Sequence, residues 1–128
     1  MLKVAPVAAL LALFLSLAAA CSDDGVCRDG DCQCPAEETC DFECSSGDCD
    51  QQCDGSCGLS CPAGRCQQQC SSGADCDAEC EGGNCVQLCQ PGASCTLSCA
   101  GGGCTQSCSG NPDCSLSCSG GNCQDDQL

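Results

Sequence analysis

Residues 95–113 read CTLSCAGGGCTQSCSGNPD, and this stretch decides the fold. Its cysteines define a unit of 19 residues, C-x3-C-x4-C-x3-C-x5. The unit begins at Cys57, Cys76, Cys95 and Cys114, after a first copy at Cys40 that is two residues shorter. Self-similarity at a fixed period is the signature of a repeat architecture. We therefore expect successive copies to stack on one another.

Leaving aside the short linker Asp54-Gly55-Ser56 between the first two copies, the middle residue of the C-x3-C pairs alternates between an apolar residue and glutamine. A β-strand places alternate residues on one face, so the middle residue and its two cysteines should point the same way. The middle residues are Phe42, Gln51, Leu59, Gln68, Ala78, Gln87, Leu97, Gln106 and Leu116. The pattern predicts a small, disulfide-rich β-solenoid of four to five coils with two short strands per coil. The apolar residues should line one wall, and the glutamines should form an inward ladder on the other.

Glycine recurs at the third place of the four-residue connector, where a positive φ costs this residue little. These glycines are Gly47, Gly64, Gly83, Gly102 and Gly121. The alternative fold is a set of short helices joined by Gly-rich turns, similar to copper-storage bundles whose helices are lined with thiols. Frequent glycine and the poor helix propensity of Ser, Thr, Asn and Cys favour strands.

The first residues predict a signal peptide at 1–20. Lys3 supplies the positive start, and residues 4–20 form an apolar run that ends in small residues, so cleavage is expected. The alternative is a transmembrane helix. However, only 17 residues separate Lys3 from Cys21, and no basic cluster follows.

Residues 17–21, LAAAC, resemble the lipobox of bacterial lipoproteins, in which the cysteine is acylated and becomes the new N-terminus. The resemblance implies that Cys21 carries the lipid and anchors the protein to a membrane. Ser22 resembles an outer-membrane sorting signal. The chain has 23 cysteines, so removing Cys21 leaves an even number that can pair completely. The alternative is cleavage after Ala20, with a secreted product and Cys21 in a disulfide.

The predicted mature chain divides into an acidic tether and Cys-rich head at 21–39 and a repeat region at 40–128. The head contains Cys27, Cys32 and Cys34. Its aspartates do not have the spacing of an EF-hand calcium loop. Large apolar residues beyond residue 20 number only eight, too few for a core. They are Val26, Phe42, Leu59, Val86, Leu88, Leu97, Leu116 and Leu128.

The chain is strongly acidic, with 18 carboxylates against three basic residues and a net charge of −15. A surface of this kind has no basic patch for phosphates, so nucleic acid is not an expected partner. Val86 and Leu88 interrupt the small and polar residues that flank the middle positions. They are a candidate contact for an unknown protein partner, the alternative being a tolerated surface variation.

The cysteines could serve as structural disulfides, as a thiolate metal store or in redox catalysis. Export favours disulfides. Zinc and metallothionein-like sites favour C-x2-C or C-x-C, whereas this chain has a single C-x-C at Cys32 and Cys34 and no histidine. No catalytic residue, metal, cofactor or small-molecule substrate is predicted. The alternative function is a periplasmic store that buffers copper or zinc.

Cysteines within one C-x3-C pair lie too far apart along a strand to form a disulfide. Folding the strand back across its turn would bring Cys99 to Cys104 and Cys95 to Cys108. The corresponding pairs in the other copies are Cys80 with Cys85, Cys76 with Cys89, Cys61 with Cys66, and Cys57 with Cys70. This scheme leaves odd numbers of cysteines in the head and the tail, so the connectivity stays open.

The phrases CTLSC, AGGGC and TQSC resemble bacterial cysteine-rich repeat lipoproteins, a family whose function is unknown. Together with export, the resemblance implies a non-enzymatic, lipid-anchored protein of the outer membrane or cell surface, with a structural or interaction role.

Overall fold

The computed structural model describes residues 24–26 and 30–126. In these residues every regular element is a β-strand, so the predicted β-solenoid is confirmed and the helical alternative is wrong. The strands are β1 Asp24–Val26, β2 Asp31–Cys34, β3 Thr39–Glu43, β4 Asp50–Cys53, β5 Ser56–Ser60, β6 Gln67–Cys70, β7 Asp75–Cys80, β8 Val86–Cys89, β9 Ser94–Cys99, β10 Thr105–Ser107, β11 Cys114–Ser117 and β12 Gln124–Asp126.

The chain alternates between two parallel sheets. Sheet A contains the odd-numbered strands in the order β1-β3-β5-β7-β9-β11, and sheet B contains the even-numbered strands in the order β12-β10-β8-β6-β4-β2. The sequence repeat fixes the register between neighbouring strands. Cys76 of β7 lies beside Cys95 of β9, and Cys95 lies beside Cys114 of β11. Each coil therefore contributes one strand to each sheet, and corresponding residues of successive coils stack in columns.

Burial alternates along the strands with a period of two, as the sequence predicts. In β7, Cys76, Ala78 and Cys80 are buried while the residues between them are exposed. The middle residues of sheet A stack in register from Phe42 to Leu116. The interior of each coil thus receives three side chains from each sheet, of which the outer two are cysteines.

The head continues the solenoid. β1 pairs with β3, and β2 pairs with β4, both in parallel. These two strands lie in residues 21–39, the stretch interpreted from sequence as a tether and head. Both sheets therefore extend one strand beyond the first cysteine repeat.

The four-residue turns stack tightly along one edge of the solenoid. Their third residue is a glycine with positive φ in every copy, as predicted, and Asn84 after Gly83 also has a positive φ, of 56°. The Asn84 N–H donates a hydrogen bond to the Gly102 carbonyl of the next coil at 2.9 Å. A Cβ at Gly83 would lie 2.6 Å from that same carbonyl oxygen. Glycine is therefore needed there for both its conformation and its small volume.

A pair of glycine substitutions separates these two requirements. Gly73 has a φ of +85° but no atom within 4 Å of a Cβ placed on it. Gly73→Ala should cost about 1–2 kcal/mol for the left-handed conformation alone. Gly83→Ala should cost about 1–3 kcal/mol more, because the neighbouring turn must move. Thermal unfolding followed by circular dichroism, with the disulfides intact, measures the difference. Equal losses for the two variants would show that the turns are not closely packed.

Candidate functional site: the disulfide-lined interior

The interior is held by ten consecutive disulfides, each joining the two cysteines that flank one turn. Their Cα–Cα distances range from 5.7 to 6.3 Å, within the normal range for a disulfide. The pairs are Cys34–Cys40, Cys44–Cys49, Cys53–Cys57, Cys61–Cys66, Cys70–Cys76, Cys80–Cys85, Cys89–Cys95, Cys99–Cys104, Cys108–Cys114 and Cys118–Cys123. Cys32 is also disulfide-bonded.

The structure pairs the cysteines across the four-residue turns as the sequence analysis expected. These bridges are Cys61–Cys66, Cys80–Cys85 and Cys99–Cys104. Bridges of this kind form one column along the edge where the glycine turns stack. The first and last members of the same column are Cys44–Cys49 and Cys118–Cys123.

The bridges at the opposite edge differ from the expected ones. The expected pairs Cys95–Cys108, Cys76–Cys89 and Cys57–Cys70 do not form. Instead Cys108 pairs with Cys114, Cys95 with Cys89, Cys76 with Cys70, and Cys57 with Cys53.

The reason for the difference is the path of the chain at this edge. Cys108 follows β10, and the chain turns directly into β11, which brings Cys114 to a Cα–Cα distance of 5.7 Å. The bridge therefore follows the chain into the next coil and does not close a single coil on itself. This arrangement also resolves the odd counts of the closed-coil scheme, because every cysteine from Cys34 to Cys123 is paired.

A column of glutamines runs between the two columns of disulfides. All four glutamines are at most 1% exposed, and the predicted ladder is present. The Nε2 atoms of Gln68, Gln87 and Gln106 each donate to the Oε1 of the preceding glutamine, at 2.9, 2.8 and 2.7 Å. The members are Gln51, Gln68, Gln87 and Gln106. Because amide dipoles in such a chain polarise one another, the ladder adds a directional interaction between coils.

The glutamines also tie sheet B to sheet A, which the sequence analysis did not foresee. Nε2 of Gln87 lies 3.0 Å from the Ala78 carbonyl oxygen and 2.9 Å from that of Ser98. Gln68 makes the same contacts with the carbonyls of Leu59 and Glu79 at 3.2 and 3.1 Å. An apolar side chain could fill the same space but could not make these hydrogen bonds, which for Glu79 add to the one that its carbonyl accepts from the Cys61 N–H.

Asn111 is a second residue whose role the sequence did not reveal. It is 8% exposed, and its Nδ2 donates to the carbonyls of Gln90 and Ala93 in the preceding loop. Its Oδ1 accepts a hydrogen bond from the Asp113 N–H at 3.1 Å. One side chain therefore satisfies the backbone of two consecutive loops. The only sequence signal was its position before a proline inside a loop.

Sulfur atoms of neighbouring bridges lie close enough to resemble a metal site. Three groups have sulfurs within 4.8 Å of one another, all of them buried: Cys44, Cys49 and Cys66; Cys61, Cys66 and Cys85; and Cys80, Cys99 and Cys104. Each group consists of one complete disulfide and one sulfur from an adjacent bridge. Metal ligation requires thiolates, and each of these sulfurs already belongs to a disulfide.

The outer surface is acidic and carries little positive charge. Arg65 is the only basic residue in the part of the chain that the structure describes. It donates two hydrogen bonds to Asp48 of the preceding coil, at 3.0 and 2.7 Å. Both side chains are well exposed, so this pair contributes little stability.

Asp54 lies in the shortest loop, where the first copy lacks two residues. Its carboxylate accepts hydrogen bonds from Gln33 and Gln52, each at 3.2 Å. Hydrogen bonds from Ser71, Gln52 and Gln33 lower the pKa of Asp54. The carboxylate therefore joins side chains from neighbouring coils where the repeat is interrupted.

The candidate partner contact lies on the outer face of sheet B. Val86 is 38% exposed, and among the side chains of residues 30–126 it is the only large apolar one that is this exposed. Leu88 is half-buried. The register places both between polar residues of β6 and β10, so the apolar spot is confined to one strand.

The predicted leader and lipidation site, including Lys3, Cys21 and Ser22, lie outside the described residues, as does Cys27. Over residues 24–26 and 30–126, no helix is long and apolar enough to cross a membrane. Comparisons with known proteins found no family model, no curated protein and no solved structure that matches this chain.

The contribution of the ladder can be measured at Gln87. Gln87→Leu removes the hydrogen bonds that it donates to Gln68 and to two sheet A carbonyls. Leaving the buried Oε1 of Gln68 without its donor should lower the free energy of unfolding by about 1–3 kcal/mol. The control is Gln67→Leu, which changes an exposed glutamine one coil away and should have an effect of about 0.5 kcal/mol or less. Unfolding in guanidinium chloride without reductant provides the measurement. If Gln87→Leu were as stable as the unmodified chain, packing alone would hold the interior.

Proposed function

We propose that this protein is an exported, non-enzymatic structural or interaction module of the bacterial envelope or cell surface, anchored by lipid at Cys21. The observation that supports export most strongly is the interior, in which ten consecutive disulfides take the place of an apolar core. Disulfides of this number persist in an oxidising compartment outside the cytosol.

The anchor is supported by residues 17–21 and by their distance from the fold. Only Ser22 and Asp23 separate Cys21 from β1, which begins at Asp24. An acylated Cys21 would therefore hold the first coil close to the membrane surface, and successive coils would extend away from it. Ser22 after the anchor supports the outer membrane as the destination.

A structural role is supported by what the described residues offer to solvent. Apart from Val86 and Leu88, strands β2 to β12 present small, polar or acidic side chains on their outer faces. The sequence lacks histidine, the usual base for activating a serine or cysteine nucleophile. The disulfides give the module rigidity, and the acidic surface opposes binding to nucleic acid.

The second candidate is a thiolate store for copper or zinc in the periplasm. The observation that favours it is the close stacking of sulfurs, within 4.8 Å in three groups. In a reduced chain these sulfurs would be suitable ligands for soft metals. The disulfides oppose this function, because none of the sulfurs in these groups is a free thiolate in the folded structure.

Thiol counting separates the two candidates. Purified from its native compartment without reductant, the structural module should react with no alkylating agent and carry no stoichiometric metal. Its intact mass should increase by about 2 Da for each bridge on reduction. Reduction should also unfold it, because each bridge contributes roughly 2 kcal/mol for a loop of this length. Many free thiols together with bound copper or zinc would instead establish the metal store.

The anchor is tested by Cys21→Ser, with Ser22→Ala as the neighbouring control. Cys21→Ser should abolish labelling by a fatty-acid analogue and move the protein from the membrane to the soluble fraction. Ser22→Ala should retain the label, because it keeps the acylated thiol. Labelling that persists in Cys21→Ser would eliminate lipidation at this residue, while the thiol count would still report on the structural module.

A further inference from the structure

Among the described strands, both sheets reach their last member at the C-terminal end of the solenoid. β11 is the last strand of sheet A, and β12 is the last strand of sheet B. The side chains of β12 are all exposed, and Cys114 and Leu116 of β11 are only half-buried. Within residues 24–26 and 30–126, no strand pairs with the outer edges of these two strands. An uncovered strand edge is a template for another strand.

The glutamine ladder ends one coil before the fold does. Nε2 of Gln106 donates to Gln87, but its Oε1 is buried and has no hydrogen-bond partner in the described part of the chain. The register places Asp125 next to Gln106, at the position that glutamine occupies in the four preceding coils. An ionised carboxylate has no proton to donate, so it cannot continue the ladder.

The first coil of a second copy has the strands needed to continue both sheets, with Cys32 at the position of the glutamines. Among the described strands, β1 is the first edge strand of sheet A and β2 is that of sheet B. Placing β1 of one copy on β11 of another, and β2 on β12, would continue both sheets with the same parallel pairing. Such a contact joins different surfaces of identical chains, so it does not close and would propagate into a filament.

We propose that Asp125 is a stop charge that prevents a second copy from stacking on the C-terminal end. In a stacked pair, the Asp125 position would become part of the interior, in line with the buried glutamines. Burying a carboxylate there without a cation is strongly unfavourable. The only basic side chain of the described region, Arg65, is already paired with Asp48 on the turn edge. Asp125 thus terminates the repeat and keeps the chain monomeric.

The test replaces the stop charge with the residue of the ladder. Asp125→Gln is made in a Cys21→Ser background, so that no lipid contributes to association, and the exported, oxidised chain is studied by sedimentation velocity. Asp77→Gln in the same background is the control, because Asp77 is exposed on the outer face of β7, away from both ends. Intact mass and circular dichroism verify that both variants retain their disulfides and fold.

The Asp125→Gln chain should form a series of oligomers that lengthens with concentration and appears as rods in electron micrographs. Its association should be at least tenfold stronger than that of the parent and of Asp77→Gln, both of which should remain monomeric. Three results would overturn the proposal: a monomeric Asp125→Gln chain, equal association of Asp77→Gln, or growth that stops at a dimer. Equal association would mean that only the lost net charge matters, and a dimer would mean that the contact is not head to tail.

Discussion

The narrow gap between the two sheets is the constraint on which the rest of the structure depends. Each coil places two strands back to back, and each strand contributes one middle side chain between two cysteines. No apolar cluster of ordinary size can form in such a space. The disulfides fill the two sides of the interior, and they also fix the width at which a leucine and a glutamine meet. The short strands, tight glycine turns and fixed register follow from that width.

The glutamines solve a problem that the narrow interior creates. With one middle side chain per strand, each coil has a single position on sheet B from which a polar group can reach sheet A. Gln87 uses this position to donate to the carbonyls of Ala78 and Ser98. Such bonds can add to those of the sheet itself, because the Glu79 carbonyl accepts from both the Cys61 N–H and Gln68. Leucine on one wall fills volume, and glutamine on the other wall donates hydrogen bonds to backbone carbonyls.

The sequence predicted the columns of the structure but not all the links between them. Alternation in the C-x3-C pairs was enough to place Leu97 and Gln87 on opposite inward walls, because a strand has only two faces. The connectivity at the second edge was not predictable in the same way, since the spacing allows Cys108 to reach either Cys95 or Cys114 across a short distance. The hydrogen bonds from the glutamine amides to the carbonyls of sheet A depend on the offset between the two sheets. No spacing in the sequence indicates that offset. The role of Asn111 was hidden for a related reason, because it contacts a loop about twenty residues earlier.

Strictly sequential pairing has a consequence for how the chain acquires its bridges. Six cysteines can already pair in 15 ways, and a chain with more than twenty has far more wrong pairings than right ones. Here each cysteine from Cys34 onward has its partner only four to six residues away. In a chain that crosses a membrane unfolded, as the proposed export requires, the two members of a pair would emerge almost together, before more distant competitors are present. An oxidant that acts on each pair as it appears would therefore produce the native connectivity without an isomerase to correct it.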